Sequence, residues 1–123
     1  MTATVLVVDD EVDLLFTIAL SLELNGYRVL KAASGEEALD VVEAERPDAI
    51  VLDLRLPGID GWEVLRRLGE LGHFPSTPVV LLSAQVDAAT VARSVNLGCH
   101  AHLAKPFSTS DLSGVLNALL RST

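Results

Sequence analysis

The chain is poor in aromatic residues and in cysteine. Aromatic side chains make up 4% of its 123 residues, so the core has to be built mainly from Val, Leu, Ile and Ala. Cys99 is the single cysteine, which excludes an internal disulfide and a cysteine-based zinc site. No apolar run approaches the roughly 20 residues that span a bilayer, and the residues before the first apolar run lack the charged and cleavage-site pattern expected of a signal peptide. We therefore expect a cytoplasmic protein that does not enter the membrane.

Positive charge is also scarce. The sequence has 9 Lys and Arg against 17 Asp and Glu, which gives a formal net charge of −8. Such a surface repels phosphate backbones, so we expect no direct binding to nucleic acid. Most of the acidic residues are typical of a solvated surface, except for a cluster after the first apolar run, formed by Asp9, Asp10, Glu11 and Asp13. The length fits one compact domain, residues 1–123.

Short apolar runs alternate with longer helical patterns along the chain. Five runs predict strands, at Thr4–Val8, Tyr27–Ala32, Ala49–Leu52, Pro78–Leu82 and Ala101–Ala104. Three of them are almost entirely apolar, which is typical of parallel strands covered on both faces. Five patterns predict helices, at Asp13–Asn25, Gly35–Glu45, Gly61–Leu71, Ala88–Leu97 and Ser110–Leu120.

Local signals support several of these helix ends. They are one stop signal and two caps, at Asn25-Gly26, Ser34 with Glu37, and Ser108 with Asp111. Strand–helix alternation repeated five times predicts an α/β fold, with a parallel sheet, right-handed crossovers and helices on both faces. In such folds ligands bind outside the carboxyl ends of the strands. The loops after the strands are therefore where we expect the chemistry.

Polar residues follow four of the predicted strands. They comprise three carboxylates, one hydroxyl and one ammonium: Asp9, Asp10, Asp53, Ser83 and Lys105. Each of them alone is typical of a turn or a helix cap. Because the carboxyl ends of parallel strands share one edge of the sheet, the five together indicate a functional site.

The residue types suit phosphoryl transfer. Keeping several neighbouring carboxylates ionised costs free energy because they repel one another, and a bound divalent cation removes this repulsion. Oxygen ligands suit Mg²⁺, which also neutralises phosphate oxygens and holds them in line. Asp53 is then a candidate nucleophile that forms an acyl phosphate. Lys105 can pair with one phosphoryl oxygen and Ser83 can donate a hydrogen bond to another.

These residues and their spacing resemble the receiver domain of two-component response regulators, of the chemotaxis-regulator type, over essentially the whole chain. Four segments carry the resemblance together with Gly98: Asp9-Asp10, Asp53-Leu54-Arg55-Leu56-Pro57-Gly58-Ile59-Asp60-Gly61, Ser83-Ala84 and Lys105-Pro106-Phe107. The resemblance implies a flavodoxin-like three-layer (βα)5 sandwich, with a five-stranded parallel sheet in the order 2-1-3-4-5. It also implies a phospho-accepting signalling domain, with at most slow self-catalysed phosphorylation and dephosphorylation, rather than an enzyme.

The resemblance further implies a role for each residue of the site. Asp53 takes the phosphoryl group from a sensor histidine kinase or a histidine phosphotransfer protein. Asp10, Asp53 and the backbone carbonyl of Arg55 ligate Mg²⁺, and Asp9 supports the ion, often through water. Lys105 and Ser83 bind the phosphoryl oxygens, and the Lys105–Pro106 peptide is expected to be cis. The downstream effector is unknown, and we expect a monomer or a weak phosphorylation-linked dimer.

One position departs from the family. Relatives carry Tyr or Phe three residues before the lysine, where this chain has His102. In the family this side chain moves with the hydroxyl residue, so Ser83 and His102 are the predicted switch. A histidine titrates near neutrality, which would make the switch weaker or sensitive to pH. A partly exposed strand histidine without a signalling role is the alternative. A metal site at Cys99-His100 is not favoured, because Cys99 and His102 would point to opposite strand faces, and His73 lies in another loop.

The first helical segment is unusually apolar. Leu14, Ile18 and Leu22 form one stripe with i, i+4 spacing, and further apolar residues extend it round the helix. A helix that is apolar all round has a second face to cover. In receivers this helix docks against the kinase or phosphotransfer helices, so Leu15 and Phe16 are the predicted docking residues. A broad core face is the alternative.

Three other functions compete with a phosphorylated receiver. A receiver that binds partners with little phosphorylation is one of them. An aspartyl-phosphate phosphotransferase of the haloacid dehalogenase type needs a second Asp where this chain has Arg55. A nucleotide- or flavin-binding protein needs a Gly-rich loop after the first strand, where two aspartates stand instead. Arg55 and Gln85 lie where receivers control the access of water to the acyl phosphate, and their effect is left open.

Overall fold

The computed structural model describes residues 2–72, 77–84 and 87–121. Strands and helices alternate through these segments. The strands are β1 (Thr4–Val8), β2 (Arg28–Ala32), β3 (Ala49–Asp53), β4 (Val79–Ser83) and β5 (Ala101–Ala104). The helices are α1 (Val12–Leu24), α2 (Gly35–Glu45), α3 (Gly61–Glu70), α4 (Ala88–Asn96) and α5 (Thr109–Arg121).

The five strands form one parallel sheet in the order β2-β1-β3-β4-β5. β1 lies between β2 and β3, so that Val5 pairs with Val29 on one side and with Ala49 on the other. On the far side β4 pairs with β5, and Ser83 lies opposite Ala104. The predicted flavodoxin-like fold and strand order are confirmed.

Each element begins and ends within one residue of its predicted bounds. The largest functional consequence is at the strand ends, because β3 continues through Asp53 and β4 through Ser83. Asp53 still pairs with Leu82 across the sheet. Both polar residues are therefore the last residues of rigid strands, rather than the first residues of loops.

The predicted helix caps are also present. The Ser34 Oγ accepts a hydrogen bond from the Glu37 N–H at 3.1 Å, and the Ser108 Oγ accepts one from the Asp111 N–H at 3.0 Å. α1 ends before Gly26, whose φ of +93° is a left-handed conformation that glycine adopts without strain. The local signals in the sequence therefore act as predicted.

Two apolar clusters cover the two faces of the sheet. Leu6 and Val8 of β1 belong to the cluster with α2 and α3, whereas Val5 and Val7 belong to the cluster with α1 and α5. This alternation is the two-residue period of a strand, and it explains why β1 is a continuous apolar run. α4 contributes no buried apolar side chain, since Ser94 is the only buried residue of this fully described helix. It is the helix least anchored in the core.

Helix α1 is apolar on two faces, as its sequence predicts. The inner face is buried and consists of Leu15, Ile18, Ala19 and Leu22. The outer face is exposed by 53–80% per residue and consists of Val12, Phe16, Leu20 and Leu24. These four residues follow one another at i, i+4 spacing and so form one continuous line on the helix. We call them the α1 stripe.

The α1 stripe contains Phe16 but not Leu15, so one of the two predicted docking residues is wrong. Leu15 is only 5% exposed and packs in the cluster of α1 and α5, so it offers no surface to a partner. Phe16 is 57% exposed, and the Lys31 Nζ lies 4.9 Å from the centroid of its ring. Successive residues of a helix point about 100° apart, which is enough for Leu15 to face the core while Phe16 faces the solvent. Within the described residues, no helix is long and apolar enough to cross a membrane.

Candidate functional site

The carboxyl ends of the strands bring the predicted polar residues to one edge of the sheet. Asp9 directly follows β1, and its N–H still donates to the Ala32 carbonyl of β2 at 3.1 Å. Asp53 and Ser83 end β3 and β4. Lys105 directly follows β5, where its N–H donates to the Ser83 carbonyl at 2.8 Å. Ladder hydrogen bonds therefore fix the backbone on which the site is built.

Three carboxylates form a compact cluster at this edge. Asp9, Asp10 and Asp53 each offer one oxygen, and these oxygens lie within 4.8 Å of one another. Asp9 is fully buried and Asp53 is 4% exposed, whereas Asp10 reaches the solvent. The Glu11 N–H donates to Asp9 Oδ1 at 2.9 Å and the Arg55 N–H to Asp53 Oδ1 at 3.0 Å. In both buried residues a local turn therefore fixes one oxygen, and Oδ2 is left for the site.

Lys105 is the cation of the cluster. Its Nζ donates to Asp53 Oδ2 at 2.8 Å and lies 3.5 Å from Asp9 Oδ2. Burial lowers the pKa of Lys105, but the hydrogen bond and the charges of Asp53 and Asp9 outweigh burial and raise the pKa above its usual value. The ammonium is therefore held charged against the carboxylates. The Lys105–Pro106 peptide bond is cis, as predicted.

Asp9 shows the cost of crowding these acids. Burial raises its pKa, the hydrogen bond from the Glu11 N–H lowers it, and the charge of Asp53 raises it again, with a raised pKa as the result. Within the part of the chain that the structure describes, Asp9 Oδ2 accepts no hydrogen bond. One ammonium faces three carboxylates, so the cluster has spare oxygen ligands and uncompensated negative charge. Both properties suit a hard divalent cation.

A cleft of about 660 Å³ opens onto the cluster. Its walls include Asp53, Arg55, Ser83 and Lys105. Ser83 is only 7% exposed, so this residue is a buried part of the cleft wall. The site can therefore enclose an anion between a lysine, a serine and a cation bound to the carboxylates.

Trp62 lines the same cleft and was not singled out by the sequence. It follows Gly61, which closes the segment that begins at Asp53. A Cβ at Gly61 would lie 2.7 Å from the Asp53 carbonyl oxygen and from Leu54 Cα, so only glycine allows α3 to start this close to β3. That close start puts Trp62 at the site. The chain's only tryptophan, next to the motif, was the available signal.

His102 does not line the cleft but lies on the strand that leads to it. It pairs with Leu81 on β4, two residues before the Ser83–Ala104 pair. Both ring nitrogens are inaccessible to solvent and, among the described residues, have no hydrogen-bond partner. Burial lowers the pKa of His102. The lowered pKa favours the neutral imidazole, and the residue lies next to the strand that carries Ser83.

Cys99 of the Cys99-His100 segment is buried in the core. The Cys99 Sγ donates to the Ala101 carbonyl at 2.9 Å, and the residue is a member of the α2–α3 cluster. In residues 2–72, 77–84 and 87–121, the aspartate cluster is the only group of three or more metal-ligating side chains. His73 and Gln85 lie outside the described residues.

A parallel five-stranded α/β sandwich with an acidic cluster and a paired lysine at its carboxyl edge defines the class of protein. The chain belongs to the response regulator receiver domain family, since the family model matches residues 5–117. It is therefore a signalling domain of two-component systems.

Named relatives support this assignment. The response regulator MprA of Mycolicibacterium vanbaalenii is 38% identical over 123 residues, which are 100% of this chain and 52% of that protein. The chain thus spans about half the length of the curated relatives it matches. The CheY-like receiver domain protein of Methanospirillum hungatei has a TM-score of 0.92 at 27% identity, covering 99% of this chain and 96% of that one. The BeF3-activated DrrB receiver domain has a TM-score of 0.87 at 29% identity, covering 98% and 99%.

Proposed function

We propose that Asp53 accepts a phosphoryl group from the phosphohistidine of a histidine kinase or of a histidine phosphotransfer protein. The setting of Asp53 carries this proposal. It is a buried carboxylate whose Oδ2 lies 2.8 Å from the Lys105 ammonium, within the cluster formed with Asp9 and Asp10. Such a carboxylate can receive an anionic group once a cation balances the neighbouring acids.

Mg²⁺ is the cation that these residues fit. All the donors are oxygens, and Asp9 Oδ2 is buried without a hydrogen bond from the described residues. Asp10, Asp53 and the Arg55 backbone carbonyl would hold the ion, with Asp9 supporting it through water. When bound, Mg²⁺ supplies charge neutralisation for the phosphoryl oxygens.

The chain's own residues position the transfer. An Asp53 carboxylate oxygen attacks phosphorus, a P–O bond forms as the P–N bond of phosphohistidine breaks, and the leaving imidazole keeps the electron pair. The Arg55 N–H orients the carboxylate through Oδ1. The Lys105 Nζ moves its hydrogen bond from Asp53 to a phosphoryl oxygen. Hydrolysis of the acyl phosphate returns free Asp53 and resets the domain.

The signal leaves the site through β4 and β5. The Ser83 hydroxyl donates to a second phosphoryl oxygen and moves towards it. His102 then changes position, because it lies on the neighbouring strand two residues before the partner of Ser83. The neutral, unpaired imidazole supports this role, since no hydrogen bond from a described residue holds it in place.

The family and the exposed surface of α1 support the following partners. The helices of the phosphodonor dock on the α1 stripe, whose four apolar side chains are 53–80% exposed. Residues 1–123 act as a single cytoplasmic receiver domain, monomeric or in a weak phosphorylation-linked dimer. Because the curated relatives are about twice as long, the effector is either a further part of the same protein or a separate partner.

Intact mass spectrometry tests the central claim. The chain is incubated with acetyl phosphate and Mg²⁺, and we expect a gain of one phosphoryl group that is lost in Asp53→Ala. Asp60→Asn is the matched control, since Asp60 lines the same cleft and Asn replaces it well as the cap of α3. Absence of a gain in the wild type would contradict the proposal and favour a receiver that only binds partners.

A further inference from the structure

A second groove lies beside the phosphoacceptor cleft, and Trp62 forms part of the wall of both. This groove, of about 780 Å³, runs between α3 and α4, where Arg66 and Arg93 are among its lining residues. The acidic site and the groove thus have one aromatic side chain in common. Trp62 is therefore in contact with both cavities.

Arg93 connects this ring to α4. Its guanidinium carbon lies 4.1 Å from the centroid of the Trp62 ring, which is a cation–π stack. Trp62 is half-buried at the start of α3, while Arg93 is exposed on α4. The stack therefore bridges the helix next to Asp53 and a helix that has no side chain in either core cluster.

Helix α4 has few buried side chains, so the Trp62–Arg93 contact matters for its position. Ser94 is the only buried residue of the helix, and its hydroxyl donates to the Val91 carbonyl within α4 itself. The large apolar residue Val95 is 61% exposed. Few buried contacts allow a segment to open and shift at low free energy, so a single stack has a large share in placing α4.

We propose that the Trp62–Arg93 stack couples occupancy of the Asp53 cleft to the position and local stability of α4. A phosphoryl group in the cleft displaces the edge of Trp62, Arg93 follows the ring, and α4 moves with Arg93. This route is separate from the one through Ser83 and His102, because it runs over α3 rather than through β4 and β5. It rests on the proposed function, since the phosphoryl group is what fills the cleft.

Hydrogen exchange of the α4 amides tests the coupling. The chain is measured with and without beryllofluoride plus Mg²⁺, a mimic of the phosphoryl group, and the intrinsic fluorescence of its only tryptophan reports Trp62 directly. We expect the mimic to change both signals in the wild type. In Arg93→Ala, α4 should exchange about two- to fivefold faster without the mimic, the effect of one exposed cation–π contact, and should no longer respond to it.

Three further variants make the test specific. Arg93→Lys keeps a cation over the ring and should restore the response, whereas Trp62→Leu keeps an apolar side chain without the π face and should lose it. Arg28→Ala removes an exposed arginine from β2, at the opposite edge of the sheet, and should behave as the wild type. Equal α4 exchange in Arg93→Ala and in the wild type, in both states, would overturn the coupling.

The outcomes separate this proposal from the proposed function. If acetyl phosphate adds a phosphoryl group to Asp53 but α4 exchange does not change, the coupling is wrong and the phosphoacceptor role stands. If neither phosphorylation nor binding of the mimic occurs in the wild type, the phosphoacceptor role fails and the coupling fails with it.

Discussion

At the scale of single residues, Asp9 is where folding and function conflict. It is fully buried with one carboxylate oxygen turned towards two other acids. Its pKa is raised by burial, so the fold disfavours its charged form relative to the unfolded chain. Protonated Asp9 favours the folded state. This contribution to the free energy of unfolding is complete below the ordinary pKa of 3.8, and it is lost as the pH rises through the raised pKa of the folded chain. At neutral pH the carboxylate is therefore kept at a cost in stability.

Asp9→Asn should remove that cost. Asn keeps an oxygen for the Glu11 N–H but carries no charge, so we expect the free energy of unfolding at pH 7, in chelator, to rise by on the order of 1 kcal/mol. Urea denaturation measures this change. Asp40→Asn, on the exposed face of α2, is the control and should change little. The same Asp9→Asn variant should bind Mg²⁺ more weakly, and a loss of stability in chelator would contradict the argument.

His102 should give the fold a pH dependence of the opposite sign. Burial lowers its pKa from the ordinary 6.5, so the unfolded chain binds the proton more readily. Its contribution to stability is complete above pH 6.5 and is lost as the pH falls below that value. The wild type should therefore lose stability relative to His102→Phe as the pH falls from about 7.5 to about 5.5.

Denaturant titrations of both proteins across that range measure the difference. Asp9 is common to both, so its titration cancels in the comparison. His100→Phe is the control, since His100 is exposed just before the same strand. A difference between wild type and His102→Phe that does not vary with pH would rule out a titrating His102, and with it a pH-sensitive switch.

At the scale of one helix, the buried face of α1 serves the stability of the fold and its exposed face is available for binding a partner. Leu15 is 5% exposed, so Leu15→Ala should destabilise the fold by about 2–5 kcal/mol through the lost apolar contacts and the cavity. Phe16 is 57% exposed, so Phe16→Ala should cost only about 0.5–1 kcal/mol, mainly its contact with Lys31. Phosphotransfer from the kinase should nevertheless slow in Phe16→Ala, as measured by the appearance of phosphorylated chain.

Phosphorylation by acetyl phosphate is the control that distinguishes a loss of kinase docking from a change in the acidic site. A small donor needs no docking surface, so Phe16→Ala should react with it at the wild-type rate. Slowing with both donors would place the effect in the acidic site rather than on the α1 stripe. An unchanged rate with the kinase would remove Phe16 from the docking surface.

Helix α1 also shows which structural features can be predicted from the sequence and which cannot. Its bounds are predicted within one residue, because apolar periodicity and the Asn25-Gly26 stop are local signals. Which of two adjacent apolar residues faces the core is not a local property in a helix that is apolar all round. It depends on how α1 is rotated against the sheet, and the interpretation of Leu15 therefore failed. The contact of Trp62 with Arg93 joins residues far apart in the sequence and has no local signal at all.

At the scale of the whole molecule, the sheet gathers three acidic residues at one of its edges. The chain has a formal net charge of −8, and three of its acids share one edge of the sheet with a single lysine. This concentration was predictable, because the strand order places the carboxyl ends of β1, β3 and β5 at the same edge. The pairing of Lys105 with Asp53 rather than with an exposed acid depends on side-chain packing, which the sequence does not reveal.

Binding of Mg²⁺ should therefore stabilise the whole fold, because the ion relieves repulsion that exists only in the folded state. A ligand that binds only the native state adds about 2.7 kcal/mol at a free concentration one hundred times its Kd. Thermal unfolding with increasing Mg²⁺ should show a rising Tm that reverses with chelator. Asp10→Asn should reduce the rise strongly, whereas Glu11→Gln, an exposed neighbour outside the cluster, should retain it. Equal rises in these two variants would mean that the ion acts by general screening of the acidic surface and not at the site around Asp53.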